Sequence, residues 1–278
     1  MVEVPPEYDF AYCLPIGDLH TGDPEGYGGF THDEKTDKRI YNNQTKKLDQ
    51  MIAWLLSVPN AYTFGMGDWL DVGIKNSVAN TQDQIYGIEN GLQYLKKKFL
   101  PLANSGQLIG LIDGNHEERI VKQGGQRPMN TLAEYLRVPY FPNECAYLFW
   151  RVGNGRDGKG DKYRPYNYTM LIHHGRGGGR TPGGKLNKVW QLRDMAPADI
   201  YIMGHVHGEI AYKDMYPVPD IRNHKLNTTK RYYLASGCWL GWASYAKIGM
   251  YGMSTIGAPR VRMNGEHQEH GWDVHVSL

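Results

Sequence analysis

Five short apolar runs punctuate the chain, at residues 10–16, 61–66, 108–112, 168–172 and 200–203, and each ends abruptly in polar side chains. Runs of this length, rich in β-branched and aromatic residues, predict buried strands. Between them the period changes to that of a helix. Leu48, Ile52, Leu55 and Leu56 share one face of a predicted helix over 45–56, and Ile88, Leu92, Leu95 and Leu100 lie in a second over 85–102. Shorter helices are predicted over 130–136 and 186–193. Strands alternating with helices predict an α/β fold, whose ligand groups sit at the carboxyl ends of the strands.

After residue 208 the pattern shortens. Runs at 209–215, 231–235, 249–254 and 259–263 alternate with turn residues and predict a second, more antiparallel sheet. Two polar, glycine-rich stretches, 22–43 and 153–165, are long for simple connections, and the second reads as a hairpin tip. With no internal repeat and no linker, residues 1–278 read as one domain.

Composition narrows the class. Hydrophobic residues make up 41% and charged residues 22%, a globular balance that excludes global disorder. The 31 basic and 29 acidic side chains leave a formal charge of +2, too balanced for coating duplex DNA by charge alone. Three widely spaced cysteines, Cys13, Cys145 and Cys238, outline neither a disulfide framework nor a zinc knuckle and fit a reducing compartment. The acidic, proline-broken start is unlike a signal peptide, and no apolar run reaches the roughly 18–20 residues of a membrane span. A soluble, cytoplasmic protein without a membrane partner is expected.

The chemistry lies where the strands end. The five runs lead into Gly17-Asp18-Leu19-His20, Gly67-Asp68-Trp69-Leu70-Asp71, Asp113-Gly114-Asn115-His116-Glu117, His173-His174-Gly175 and Gly204-His205-Val206-His207. Singly, each motif is commonplace. Side chains gathered at neighbouring strand ends, however, would leave buried charges unpaired unless cations bound them.

In this order, over residues 17–207, the five blocks resemble the calcineurin-like metallophosphoesterases. The resemblance implies a four-layer αββα sandwich of two mixed sheets and two divalent metal ions. Asp18, His20 and His207 would hold one ion; Asn115, His173 and His205 would hold the other; Asp68 would bridge them. His173 is preferred to His174 because it directly follows the apolar run, which leaves His174 to support the ligands from behind or to contact substrate. The mixed oxygen and nitrogen donors suit Mn²⁺, Fe or Zn²⁺ better than Ca²⁺ and do not choose among them; Mn²⁺ is the expected ion, with Fe, Zn²⁺ or Mg²⁺ compatible. The implied reaction is hydrolysis of a phosphoric ester by a hydroxide shared between the ions. His116 would act as general acid toward the leaving group, and Asp71 would orient it, or alternatively cap a helix.

Departures within the family point to a subtype. Gly114-Asn115-His116-Glu117-Glu118-Arg119 is similar to protein phosphatases, yet Val72 stands where those enzymes carry a phosphate-gripping arginine. The Gly204–His207 block resembles phosphodiesterases and Mre11-type nucleases, including compact stand-alone bacterial and phage members. The expected substrate is therefore a phosphodiester, either nucleic acid, single-stranded in particular, or a cyclic or other nucleotide. A phosphomonoesterase or protein phosphatase is the alternative, and a non-catalytic scaffold a remote one. Arg176 and Arg180 in the glycine-rich segment 174–185, together with His174 and Lys185, are candidate phosphate contacts; a solvated turn is the plainer reading. Arg119, Lys122 and Arg127 extend this candidate basic rim. Trp69, Trp239 and Trp242 are candidates for base stacking or for the core. His267, His270 and His275 read as a solvated tail.

Overall fold

The apolar runs form strands, and the two faces of those strands divide the molecule into layers. The computed structural model describes residues 1–74, 81–153, 165–265 and 273–278. Its strands are β1 (Val2–Glu3), β2 (Phe10–Ile16), β3 (Phe30–His32), β4 (Arg39–Tyr41), β5 (Ala61–Gly65), β6 (Leu108–Ile112), β7 (Tyr140–Phe141), β8 (Cys145–Val152), β9 (Tyr166–His173), β10 (Ile200–Met203), β11 (Glu209–Asp220), β12 (Lys225–Ser236), β13 (Arg260–Asn264) and β14 (Val274–Ser277). The helices are α1 (Asn43–Ser57), α2 (Ile88–Asn104), α3 (Asn115–Gly124), α4 (Pro128–Leu136), α5 (Pro182–Trp190) and α6 (Ser244–Ile248).

Two six-stranded sheets result, ordered β1-β8-β9-β10-β12-β11 and β14-β13-β2-β5-β6-β7, each mixing parallel and antiparallel pairs. Between them lies a core that includes Met66, Ile112, Trp150, Tyr168, Met170, Ile172, Ile200 and Ile202. Burying each such side chain stabilises the fold by about 1.5–3 kcal/mol, so this core sets how the sheets pack. On the outer face of the second sheet, Leu14, Ile16, Leu108 and Leu111 meet Leu48 and Leu55 of α1, Leu95 and Phe99 of α2, and Leu132 of α4. Leu171, Tyr201 and Tyr233 on the outer face of the first sheet meet Val189 of α5. The layers therefore run helix, sheet, sheet, helix, as the αββα expectation has it.

Local chemistry sets the helix starts. The Asn42 side chain caps α1 by accepting from the Thr45 backbone N–H at 2.8 Å. Thr181 caps α5 in the same way, with Pro182 in the first turn, where its missing N–H costs nothing.

Three expectations are corrected. The strands after residue 208 do not form a sheet of their own: β11 and β12 extend the first sheet, while β13 and β14 close the edge of the second. Residues 249–254 form no strand, because they follow α6 in an irregular path with Met250 in the left-handed region (φ 55°). The five motif-bearing strands do not lie side by side. β2, β5 and β6 belong to one sheet and β9 and β10 to the other, so their motifs meet across the seam between the sheets. Most of the proposed hairpin tip at 153–165 lies outside the described residues, as do His267 and His270. His275 is exposed and pairs with Asp273 at 2.9 Å. Among the described residues the cysteines are free and no helix is long and apolar enough to cross a membrane.

Candidate metal centre

The first, second and fifth motif loops bend sharply at the strand end, and the bends carry the site. Asp18, His20, Asp68, Val72, His205 and His207 all adopt left-handed backbone angles, with φ between 44° and 62°. Such angles cost side-chain-bearing residues on the order of 1–3 kcal/mol each and persist where the surroundings over-determine them. Here the loops after β2 and β5 are laced together: the N–H groups of Asp18, His20 and Thr21 donate to the carbonyls of Gly67, Asp68 and Trp69, each at 3.0 Å. Two glycines permit the closest approach. A Cβ on Gly114 would lie 2.2 Å from Asp68 Oδ1, and one on Gly67, itself at φ 82°, would lie 2.5 Å from the Gly114 nitrogen.

Both central carboxylates are held by one oxygen, which leaves the other aimed into the cluster. Asp68 Oδ1 accepts the His116 N–H at 2.8 Å, and Asp18 Oδ2 accepts the His205 N–H at 3.0 Å. Asp18 Oδ1 is buried without a hydrogen-bond partner and lies 3.1 Å from His207 Nε2. His20 Nδ1 donates to Asp71 Oδ1 at 3.0 Å, which turns His20 Nε2 toward His207 Nε2, 3.3 Å away. Asp18, His20 and His207 thus converge three donor atoms on one point. A carboxylate behind a ligating imidazole is the usual means of fixing its ring.

A second group consists of Asp68, His174 and His205. His174 Nδ1 donates to the Met66 carbonyl at 2.7 Å. Its Nε2 therefore faces Asn115 Oδ1 at 3.0 Å and Asp68 Oδ2 at 3.2 Å. Burial opposes a charge on His174, but Asp68 outweighs it and lifts the pKa to about 10: the cluster draws positive charge to this point. Burial, followed by the charge on His174, pushes His205 down to about 4. Burial also lowers His20, with His116 adding to the effect, so both imidazoles are neutral donors. The carboxylates of Asp18 and Asp68 are held below their usual range; burial opposes this, and His207 for Asp18 and His174 for Asp68 outweigh it. An orphaned carboxylate oxygen, neutral imidazoles with converging lone pairs and an amide oxygen form a donor set that fits divalent cations.

The histidine preference is corrected by this geometry. His174 enters the cluster and His173 does not, because side chains alternate along β9. Met170 and Ile172 face the core between the sheets, and His174 continues that face. His173 follows Leu171 to the outer face, where its Nδ1 accepts the Gly175 N–H at 2.8 Å. Arg176 is likewise turned away. Its guanidinium pairs with Glu144 at 2.6 Å and 3.2 Å, beside His173 in a separate cavity of about 470 Å³. Arg127, in that same cavity, pairs with Asp113 at 2.8 Å. Lys122 is exposed and lines neither cavity. Arg119, Arg180 and Lys185 do line the cavity above the cluster, which measures about 440 Å³. Trp69 and Trp239 are core residues, whereas Trp242 is 41% exposed and faces that cavity.

Asp71 touches two imidazoles. It holds His20 as described, and its backbone carbonyl accepts from His116 Nδ1. Its Oδ1 lies 3.4 Å from the same nitrogen, and its Oδ2 accepts from Gln84 Nε2 at 2.6 Å. Asp71, His20 and His116 form a third close group, in which the Asp71 carboxylate and carbonyl already meet the Nδ1 atoms of the two imidazoles. Burial opposes the His116 charge while Asp68, then Asp71, favour it, and the net shift is upward.

Two contributors carry no role in the sequence reading. Gln84 lies in a polar stretch with no signal. Glu117 is quoted in the third motif, and its position three residues after Gly114 is that of a capping box. Fully buried, it accepts the N–H groups of Asp68, Leu70 and Gly114, each at 2.9 Å, and so ties the second motif to the third. Burial and the Asp68 charge push its pKa up to about 7. Glu117→Ala strands three buried N–H groups at about 1–3 kcal/mol each, so a loss of at least about 3 kcal/mol is expected in chemical denaturation. Glu117→Gln recovers only part of it, because its amide NH₂ meets a donor.

The fold and site together define a layered α/β sandwich with a buried His/Asp cluster that can hold metal ions. The sequence matches no protein-family model and no curated protein. Among solved structures, the NAD nucleotidase NadN of Haemophilus influenzae is similar with a TM-score of 0.42 and 10% identity, over 97% of this chain and 49% of that one. The chain thus spans about half the length of that protein.

Proposed function

We propose that the protein is a dinuclear metal-dependent phosphoesterase of the calcineurin-like type, and that it hydrolyses nucleotide-like phosphodiesters. The observation that carries this reading is the paired cluster: two groups of inward-facing donors, each with a carboxylate pinned by one oxygen and facing the group's histidines with the other. Asp18, His20 and His207 would hold one divalent ion, Asp68, Asn115, His174 and His205 the other, with Asp68 beside both and Mn²⁺ the preferred metal. When bound, such ions supply an activated water and neutralise phosphoryl oxygens.

The chain's own residues do the remaining work. His116 donates Nδ1–H to the Asp71 carbonyl, which leaves Nε2 facing the cavity, 3.8 Å from Asp68 Oδ2, to hand a proton to the leaving oxygen. Arg119, anchored on the Val72 carbonyl at 3.2 Å, and Arg180 bring fixed positive charge to the cavity for the phosphate oxygens. Arg119 thereby brings a guanidinium to Val72, the position where protein phosphatases carry theirs.

A hydrolysis panel with added Mn²⁺ tests the reading. It sets bis-p-nitrophenyl phosphate against p-nitrophenyl phosphate, single- and double-stranded DNA, RNA and cyclic nucleotides. Hydrolysis of diesters that a chelator abolishes and Mn²⁺ restores is expected. Preference for p-nitrophenyl phosphate would favour a monoesterase, and inactivity on every member would overturn the reading.

A further inference from the structure

The cavity above the metal cluster is lined by two unlike kinds of side chain. Its lining includes the cations Arg119, Arg180 and Lys185, and an apolar and aromatic wall of Leu240, Trp242, Met250, Tyr251 and Met253. The apolar wall is held to the cluster floor: the Trp239 backbone N–H donates to the Asp18 carbonyl at 2.9 Å, and the Gly257 backbone N–H donates to the Cys238 carbonyl at 3.1 Å. It is also open. Trp242 is 41% exposed, Tyr251 48%, Met253 76% and Met250 81%, an apolar concentration that solvent alone does not favour. Trp242 Nε1 donates to the Tyr251 carbonyl at 2.9 Å, which fixes the edge of the indole.

Two cations flank these rings. Lys247 Nζ lies 5.5 Å from the Trp242 ring centre, and the Arg180 guanidinium 5.0 Å from that of Tyr251. An occupant suited to this wall is flat and aromatic and carries hydrogen-bond acceptors at its edge. A hydrocarbon tail meets the first demand poorly and the second not at all. A nucleobase meets both. The volume of about 440 Å³ lies in the range of small-molecule pockets, which suits one nucleotide unit rather than a duplex.

We propose that the 240–254 segment is a base-holding wall, which stacks the nucleobase of a substrate whose phosphate lies on the cluster below. The proposal rests on the phosphoesterase reading and names its substrate class, a nucleoside phosphoester engaged one unit at a time.

The test uses Mn²⁺-loaded protein and two probes, adenosine 5′-monophosphate and ribose 5-phosphate, which share phosphate and sugar and differ in the base. Their inhibition constants against bis-p-nitrophenyl phosphate hydrolysis are measured at initial rates, with calorimetric binding in parallel. Base stacking on an aromatic side chain favours the nucleotide by roughly 5–150-fold. In Trp242→Ala that ratio should fall toward one while ribose 5-phosphate binds as before; Trp242→Phe, which keeps a ring and loses the N–H, should retain most of it. Equal weakening of both probes in Trp242→Ala, or a ratio near one in the unaltered protein, overturns the wall and leaves the phosphoesterase reading standing. So does a concentration-dependent dimer that hides Trp242. Failure to hydrolyse any phosphoester overturns the underlying reading instead.

Discussion

Asp68→Ala is expected to empty the metal centre while the chain still folds. Asp68 supplies the Oδ2 atom that lies 3.2 Å from His174 Nε2, and its carboxylate is the main charge that draws a cation to the second donor group. The loss of activity must exceed the roughly 10–100-fold typical of residues that only orient ligands, and metal content should fall with it. Folding survives for a physical reason. The substitution leaves the His116 N–H without its acceptor, at about 1–3 kcal/mol. It also removes the charge that opposes Glu117, so part of that cost is offset. Elemental analysis and chemical denaturation on the same preparation separate these effects; full metal occupancy in Asp68→Ala would sink the assignment. His174→Ala should deplete one ion, whereas His173→Ala, altering a side chain on the outer face, should leave metal content intact.

That pair of histidines marks the limit of what was legible in the chain. The apolar runs show where strands end, and the polar motifs show that their ends converge. The sequence does not state which of two adjacent histidines turns inward, because that depends on the phase of the β9 pleat, which Met170 and Ile172 set by packing against the opposite sheet. The same limit explains the misplaced strands after residue 208. Their local pattern reports a strand, while the sheet each joins is decided by partners distant in sequence, β10 for β12 and β2 for β13. α3 escapes periodicity for another reason: its first turn, Asn115 to Glu118, is occupied by site residues, so only Ile120 and Val121 remain to show an apolar face. Arg176 reads as a phosphate ligand from composition alone, but buried Glu144 claims its guanidinium first.

His116→Ala should leave the metals in place and lower turnover by about 10²–10⁴-fold, the range for loss of a positioned general acid. The ring is buried, its Nδ1 is committed to the Asp71 carbonyl, and only Nε2 faces the cavity. His116 belongs to neither the Asp18, His20 and His207 group nor the Asp68, His174 and His205 group, so metal content is not expected to follow activity. The fold should tolerate the change, since the backbone N–H that donates to Asp68 Oδ1 remains. The distinguishing measurement is the dependence on leaving group. p-Nitrophenolate departs without a proton, so the loss with bis-p-nitrophenyl phosphate should be small, whereas a diester that releases a ribose or deoxyribose hydroxyl should show the full loss. His116→Gln tests the same point, because its amide can donate a hydrogen bond but cannot surrender a proton; it should help the good leaving group and fail the poor one. An equal loss for both classes would mean that His116 stabilises charge on the phosphoryl group and transfers no proton. A fall in metal content alongside activity would instead make it a ligand, and the division of the site into ion-holding and proton-donating residues would have to be redrawn.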